Sequence, residues 1–206
     1  MLEKLIFLLE EPSMESALNN LLPQLANDID CEIRQFQGKS DLLKQLPDRL
    51  RGYAQWLPSS WAIIVLIDRD DEDCLQLKQK LEHIATSSGL LTKTVASQGQ
   101  AFQVANRVAI EELEAWFFGD WQAVQTAYPR VSTSIPNKAT YRNPDGIKGG
   151  TWEALERELK RGGYFKTGLR KIEVAREISK YMNASQNISH SFQIFKEAID
   201  AAKAWI

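Results

Sequence analysis

The sequence has very few of the residues that bind zinc or form disulfides. Its two cysteines are Cys31 and Cys74, its two histidines are His83 and His190, and no pair of them has the spacing of a zinc site. Two isolated cysteines are typical of a protein in a reducing compartment. The sequence therefore argues against a structural zinc site and excludes a disulfide-stabilised scaffold.

The sequence also lacks a long hydrophobic run and a strong charge of either sign. The most apolar run, Trp61 to Ile67, is far too short to span a bilayer. The N-terminal apolar stretch is short, ends at Glu10 and lacks the basic start of a signal peptide. The formal net charge of −2 does not favour nonspecific coating of nucleic acid. We therefore expect a cytoplasmic protein without membrane association.

Several catalytic signatures are absent as well. The sequence contains neither a Gly-x-Gly-x-x-Gly turn nor a P-loop, so the common dinucleotide and nucleoside-triphosphate sites are not indicated. It also lacks the Gly-x-Ser-x-Gly elbow of serine hydrolases, and His190 therefore resembles no catalytic triad member.

The hydrophobic pattern predicts an α/β fold. Short apolar runs alternate with helical periodicity, which is typical of a mostly parallel sheet flanked by helices. We expect this Rossmann-like domain over residues 1–130, and a loop with a helical C-terminal extension packed on the domain over residues 131–206. The predicted strands are residues 4–9, 31–36, 61–67, 92–97 and 103–110. The first predicted helix begins at a cap formed by Ser13. The other predicted helices cover residues 42–53, 75–85, 111–128, 151–161, 169–181 and 191–205.

Carboxylates follow the two clearest strands at their ends. Glu10 follows the first apolar run, and Asp68 and Asp70 follow the run from Trp61 to Ile67. Because the carboxyl ends of parallel strands meet at one edge of a sheet, we expect these three acids to converge. Close carboxylates repel one another, and a divalent cation such as Mg²⁺ relieves that repulsion. Asp71, Glu72 and Asp73 are more simply explained as acids at a helix start.

A third acidic group opens the helix predicted from residue 111. On a helix that begins near Ile110, Glu111 and Glu114 lie on one face while Glu112 points away. We therefore expect Glu111 or Glu114 to complete the site. Lys39 and Arg107 are candidate phosphate-binding residues, with a surface ion pair as the simpler alternative for each.

The acid pattern resembles the Toprim domain of topoisomerases, primases and nucleases of the overcoming-lysogenization-defect type. The segment Glu10-Glu11-Pro12-Ser13 is similar to its glutamate motif, and Ile67-Asp68-Arg69-Asp70 matches its Asp-x-Asp motif. Glu11 stands where the motif usually has glycine, so either Glu10 or Glu11 is the functional acid.

The chain more closely resembles a bacterial domain-of-unknown-function family, family 4276, with a Toprim-like core. The resemblance extends to about Leu169. Its matching segments are Leu8 to Ser13, Gly38 to Leu42, Leu66 to Asp70, Ile110 to Trp116 and Gly149 to Glu153. Relatives of this kind are thought of as nucleases or as partners of ATPases in anti-phage defence.

The resemblance implies a nuclease that uses Mg²⁺ or Mn²⁺ to hydrolyse DNA or RNA. Glu10, Asp68 and Asp70 would be its catalytic residues. The metal ligands would come from the acids that follow the strands, and these are Glu10, Glu11, Asp68, Asp70, Glu111 and Glu114.

Two other functions are weighed against the nuclease. The first is a non-catalytic Toprim-like adaptor subunit that binds a partner ATPase, which the missing glycine after Glu10 keeps open. The second is a phosphoacceptor receiver domain, which the Asp-x-Asp pair disfavours because such a domain carries a single aspartate there. A homodimer is an open alternative for the assembly.

Overall fold

Four parallel strands form the centre of the protein in the computed structural model, which describes residues 1–205. Their order across the sheet is β2-β1-β3-β4. The strands are β1 (Lys4–Leu9), β2 (Asp30–Gln35), β3 (Trp61–Asp68) and β4 (Val104–Ala109). This confirms the predicted α/β class with a parallel sheet.

Helices cover both faces of the sheet. The helices are α1 (Pro12–Leu25), α2 (Lys39–Ala54), α3 (Cys74–Ser87), α4 (Glu114–Gly119), α5 (Trp121–Ala127), α6 (Thr151–Arg161), α7 (Lys171–Ser179) and α8 (His190–Lys203). Residues of α2 and α3 form the core on one face, and residues of the other six helices form the core on the opposite face. Within residues 1–205, no helix is both long enough and apolar enough to cross a bilayer.

The apolar runs form strands because both of their faces are covered. Every residue of β3 from Ala62 to Asp68 is buried, as the continuous apolar run predicts for a central parallel strand. In β1, Phe7 and Leu9 enter the core beneath α1 and α8, while Ile6 and Leu8 enter the core beneath α2 and α3.

The sheet changes direction between β1 and β3. The chain passes from β1 outward to β2, and then returns to the other side of β1 to form β3 and β4. Such a topological switch point opens a crevice at the carboxyl ends of the two adjacent strands, and ligands of open α/β sheets bind there. Glu10 and Asp68 lie at this point.

Two of the predicted elements were wrong. Residues 92–97 do not form a strand, because only Thr92 bridges to Val104 and the N–H groups of Val95 and Ala96 turn back to the carbonyl of Thr92. The helix predicted over residues 111–128 is divided into α4 and α5, because Asp120 leaves the helical conformation and its side chain accepts from the N–H of Ala123.

The first helix also begins differently from the prediction. Ser13 is a helical residue and not the cap, because Pro12 already occupies the first turn and Glu11 is the extended residue before it. Proline favours this position because its missing N–H would have no partner inside the helix.

Gly119 lies where there is no room for a side chain. A Cβ at Gly119 would be 2.8 Å from the backbone nitrogen of Ser189. The carbonyl of Gly119 also accepts a hydrogen bond from the N–H of Ile188. Gly119→Ala is therefore expected to lower the free energy of unfolding by about 1–3 kcal/mol through overpacking. Urea denaturation measures the change.

Gly52→Ala is the matched control for this substitution. Gly52 lies inside α2, and a Cβ added to it would meet no atom within 4 Å, so alanine should stabilise the helix by about 0.5–1 kcal/mol. Equal effects of the two substitutions would contradict the described packing of α4 against the segment before α8.

Candidate functional site

The carboxyl ends of β1 and β3 are joined through a glutamate side chain. Oε2 of Glu10 accepts a hydrogen bond of 2.8 Å from the backbone N–H of Asp68. The N–H of Glu10 donates to the carbonyl of Leu66 at 3.2 Å, so the pairing of β1 with β3 continues to this residue. The two strand ends thus bring together two of the acids singled out from the sequence.

A third carboxylate, Glu114, approaches the same place from the first residue of α4. The relative exposures of Glu10, Asp68 and Glu114 are 7%, 3% and 1%. Oδ1 of Asp68 and Oε2 of Glu114 are buried and accept no hydrogen bond from residues 1–205. A buried carboxylate oxygen without a partner destabilises the folded state, and a bound proton or cation would remove this destabilisation for these two atoms.

Burial shifts the proton affinity of all three acids upward. It raises the pKa of Glu10 to about 7, against the opposing hydrogen bond from Asp68. It raises the pKa of Glu114 to about 8, with partial opposition from the positive charge of Lys171. The pKa of Asp68 is raised well above its ordinary value by burial first, and then by the charges of Glu114 and Glu10.

Lys171, at the start of α7, is the main positive charge facing this cluster. Its Nζ lies 3.5 Å from Oε1 of Glu112. Burial alone would lower the pKa of Lys171, but the charges of four nearby acids outweigh burial and raise it. Those acids are Glu114, Glu11, Glu112 and Asp68. We call Glu10, Asp68, Glu114 and Lys171 the central cluster.

The link between β4 and α4 gives Glu111 and Glu112 roles opposite to those predicted. No helix begins near Ile110, because Glu111 has a left-handed φ of 53°. Glu111 pairs with Arg69, away from Lys171. Glu112 instead bonds Lys171 and accepts from the N–H of Trp152 at 2.8 Å. Glu112, dismissed on helical spacing, therefore borders the central cluster.

The loop after β3 separates Asp70 from Asp68. Asp70 is half exposed and pairs with Nζ of Lys39 at 2.7 Å, while the same Nζ contacts Glu72 at 3.0 Å and donates to the carbonyl of Arg69 at 2.9 Å. Burial alone would lower the pKa of Lys39, but its hydrogen bonds with Asp70 and Glu72 raise it. Lys39 thus lies beside the acids, and its charge also lowers the pKa of Glu10.

The backbone is strained at this point. Asp70 has a φ of 49°, Glu111 has a φ of 53°, and the N–H of Asp70 donates to the carbonyl of Glu111 at 2.8 Å. Left-handed conformations are uncommon for residues other than glycine, and they are concentrated at functional sites. The loops after β3 and β4 are therefore held together in a conformation that their residues do not favour.

An open cleft lies next to the central cluster. It has a volume of about 850 Å³, and its walls are mainly acidic. The acids lining it are Asp70, Asp71, Glu72, Asp73, Glu111, Glu112 and Glu153, and the basic residues are Arg69 and Lys148. Gly149 and Gly150 complete one wall with φ values of 81° and 83°. A ligand in this cleft meets a strongly negative surface.

The remaining candidates lie at different distances from the central cluster. Glu11 precedes α1, accepts a hydrogen bond from Ser13, and contributes charge to Lys171 and Asp68. Arg107 lies elsewhere: its Nε donates to the carbonyl of Ile194 in α8 at 3.0 Å, and its Nη1 donates to its neighbour's carbonyl. Arg107 therefore does not join the acids in this arrangement.

The donor chemistry of the central cluster fits a hard divalent cation. Carboxylate oxygens are the ligands that Mg²⁺ prefers, and Asp68 and Glu114 each supply one without a partner. As the side chains are placed, however, no three acidic, histidine or cysteine side chains within residues 1–205 surround a common point. The positive charge of Lys171 balances part of the acid charge instead.

Lys171 and Glu112 were missed from the sequence. Lys171 lies about one hundred residues after Asp68 in a stretch with many basic residues, and nothing in its local pattern distinguishes it from Arg170 or Lys166. Lys171 comes near the acids because α7 packs on α1, a long-range contact that the local sequence does not indicate.

Comparison with known proteins assigns the chain to a family. The model of a family described as a domain of unknown function, DUF4276, matches residues 9–200. The chain therefore belongs to the DUF4276 family, and the matched region includes every residue of the central cluster. No curated protein and no solved structure matches the chain.

The raised pKa values predict that metal-free protein loses stability as the pH rises. The carboxyl of Glu114 has an ordinary pKa of 4.5 and a folded-state pKa of about 8. Between these values the folded state binds more protons than the unfolded state, so the free energy of unfolding falls as pH increases. The slope contributed by one such group is at most about 1.4 kcal/mol per pH unit.

Glu114→Gln should flatten this dependence, since glutamine is neutral at every pH. Urea denaturation in a chelator at pH 5, 6, 7 and 8 (about one unit apart, to resolve the slope) measures it. Glu173→Gln is the control, because Glu173 is partly exposed and pairs with Arg170, the residue that precedes α7. Identical slopes for the wild type and Glu114→Gln would contradict the description of Glu114.

Proposed function

We propose that this DUF4276 protein hydrolyses phosphodiester bonds of nucleic acid with Mg²⁺ or Mn²⁺, in the manner of a Toprim nuclease. The observation that supports this most is the presence of two buried carboxylate oxygens without partners, on Asp68 and Glu114, beside the switch point of a parallel sheet. Buried acids with raised pKa values at such a point are typical of functional sites.

The charge of the cleft supports a requirement for a divalent cation. Its lining residues include seven acids and two basic residues. A phosphodiester would add negative charge to this surface, and like charges at close range repel strongly. A divalent cation held by the acids would reduce this repulsion and would allow a phosphate near the central cluster.

Each residue of the central cluster has its own role in the proposed reaction. Asp68 and Glu114 would hold the metal ion, with Glu10 and Glu11 next to them. When bound, Mg²⁺ would polarise a phosphoryl oxygen and stabilise the charge of the transition state. Lys171 then becomes available to neutralise the phosphate instead of the acids.

Glu10 is the best candidate for proton transfer. Burial raises its pKa to about 7, which is the range in which a side chain can gain and lose a proton near neutral pH. A group in this range can both remove a proton from an attacking water and return it to the leaving oxygen. The hydrogen bond from the backbone of Asp68 holds Oε2 in place, so Oε1 is the oxygen available for transfer.

Asp70 and Lys39 would act at the edge of the site. Asp70 is half exposed and bound to Lys39, so we assign it to orienting Lys39 and not to holding the ion directly. Lys39 would meet a phosphate adjacent to the scissile one, because it lies on the side of Glu10 that faces the loop after β3.

A second candidate function is a non-catalytic subunit that docks on an ATPase. The observation that favours it is the positive charge of Lys171, which already balances part of the charge of the acids. In that case the acids and Lys171 form a buried structural network, and removing one partner destabilises the protein.

Asp68→Asn should reduce Mn²⁺-dependent cleavage of DNA or RNA by about 100-fold or more, because the ion loses a charged ligand and its transition-state stabilisation. Calorimetry should show Mn²⁺ binding to the wild type and weakened binding to the variant. Asp48→Asn is the control, since Asp48 is exposed on α2 and pairs only with Arg51. Cleavage that survives Asp68→Asn unchanged argues against the hydrolase.

Lys171→Met separates the two candidate functions. If the acids hold a metal, the variant should bind Mn²⁺ about tenfold more tightly, because a competing positive charge is removed, and should cleave more slowly. If the network is structural, the variant should lose stability that Mn²⁺ does not restore. Lys180→Met at the other end of α7 is the control, because Lys180 pairs with Glu177 on the surface. Calorimetry and urea denaturation with and without Mn²⁺ give both readouts.

A further inference from the structure

A second, smaller cavity lies between α3, β4 and α8. Its volume is about 210 Å³, which is room for a compact molecule and below the size of a typical drug site. Its apolar walls come from Leu75 in α3, Val108 and Ile110 at the end of β4, and Ile194 in α8. Arg107 and Lys78 add two positive charges to this apolar lining.

Arg107 is a buried positive charge without an ionic partner. Its relative exposure is 7%, and within residues 1–205 no carboxylate lies within 4 Å of it. Its Nε and Nη1 donate to the backbone carbonyls of Ile194 and Asn106, and Nη2 donates to no atom of residues 1–205. Buried charges are normally paired, so Arg107 lacks the anion that a guanidinium usually binds.

The surroundings of Arg107 leave its charge only partly balanced. Lys78 contacts Glu82 at 2.9 Å and donates to the carbonyl of Asn106 at 2.6 Å, so the charge of Glu82 is already shared. Lys93 adds a further positive charge near Arg107, and Glu197 opposes it. Burial lowers the pKa of Arg107 to about 10, and the charges of Glu82 and Glu197 oppose this shift.

We propose that this cavity binds a small organic oxyanion, a carboxylate or a phosphate monoester, with its charged group on Arg107 and a compact apolar body against Val108, Ile110 and Ile194. The planar guanidinium suits a two-oxygen anion, and the apolar walls suit an aromatic or branched aliphatic body. Free phosphate would leave these walls without contact.

The proposed pocket is distinct from the acidic cleft but adjoins it. Both are lined by Cys74 and Leu75 at the start of α3, so the first turn of this helix separates a negative cleft from a positive pocket. The proposal does not depend on the proposed function: the pocket can bind its anion whether or not the central cluster holds a metal.

Four probes test the charge and shape of the ligand on the full chain: benzoate, phenyl phosphate, uncharged benzamide and cationic benzylamine. Titrations followed by amide NMR should show benzoate or phenyl phosphate shifting the signals of Leu75, Val108 and Ile194 and the Nε–Hε signal of Arg107. Which of the two anions binds tells a carboxylate ligand from a phosphate ligand. Benzamide and benzylamine should cause no saturable shift.

Two variants connect the binding to Arg107 and to the cavity. Arg107→Met should weaken binding of the better anion by about tenfold or more, because the charge-assisted hydrogen bonds are lost. Leu75→Trp should also weaken it by covering the opening, and it should fold normally because Leu75 is largely exposed. Arg49→Met, on the remote α2, should bind like the wild type.

Three results would overturn the proposal. The first is that neither anion causes a saturable shift. The second is that benzamide binds as well as benzoate. The third is that the shifts map outside the cavity or are unchanged in Leu75→Trp. The shifts in the wild type and the binding to Leu75→Trp are measured on proteins other than Arg107→Met. The proposal therefore remains testable if Arg107→Met fails to fold.

Discussion

The hydrogen bond from the backbone of Asp68 to the side chain of Glu10 is the contact on which the candidate site depends. It fixes two carboxylates at the adjacent ends of β1 and β3, where the sheet changes direction. Glu114 adds a third buried carboxylate, and its charge acts on Asp68 together with that of Glu10. Their mutual repulsion and desolvation must be offset by protons, by Lys171 or by a metal ion, and the chemistry of the site follows from which of these is present.

Much of the fold was readable from the sequence because burial dictates it. The run from Trp61 to Ile67 is apolar at every position, which fits either a central parallel strand or a buried helix. The short length of the run and the acids that follow it favour the strand. The failures came where hydrogen bonds of a local turn or cap interrupt the predicted element. Residues 92–97 resemble a strand but turn back on Thr92, and the helix after β4 is interrupted because Asp120 caps a new one.

The site was only partly readable for a related reason. The convergence of Glu10 and Asp68 follows from parallel topology, which the sequence pattern indicates. The side chains of the loops do not follow from spacing: Glu111 has a left-handed backbone, so Glu112 and not Glu111 reaches Lys171. Lys171 is a long-range partner supplied by packing of α7, and the residues around it in the sequence carry no sign of this contact. Arg107 was predicted as a candidate phosphate-binding residue, but it lines a cavity distinct from the acidic cleft.

The central proposal is that the buried acids bind a metal ion, and that the positive charge of Lys171 balances part of their charge when no ion is bound. Anomalous diffraction from crystals soaked in Mn²⁺ tests this claim most directly. The account predicts a manganese peak within bonding distance of Asp68 and Glu114, with the ammonium of Lys171 displaced away from the ion. Ordered side chains of Asp68 and Glu114 beside an unmoved Lys171, with no manganese peak between them, would contradict it.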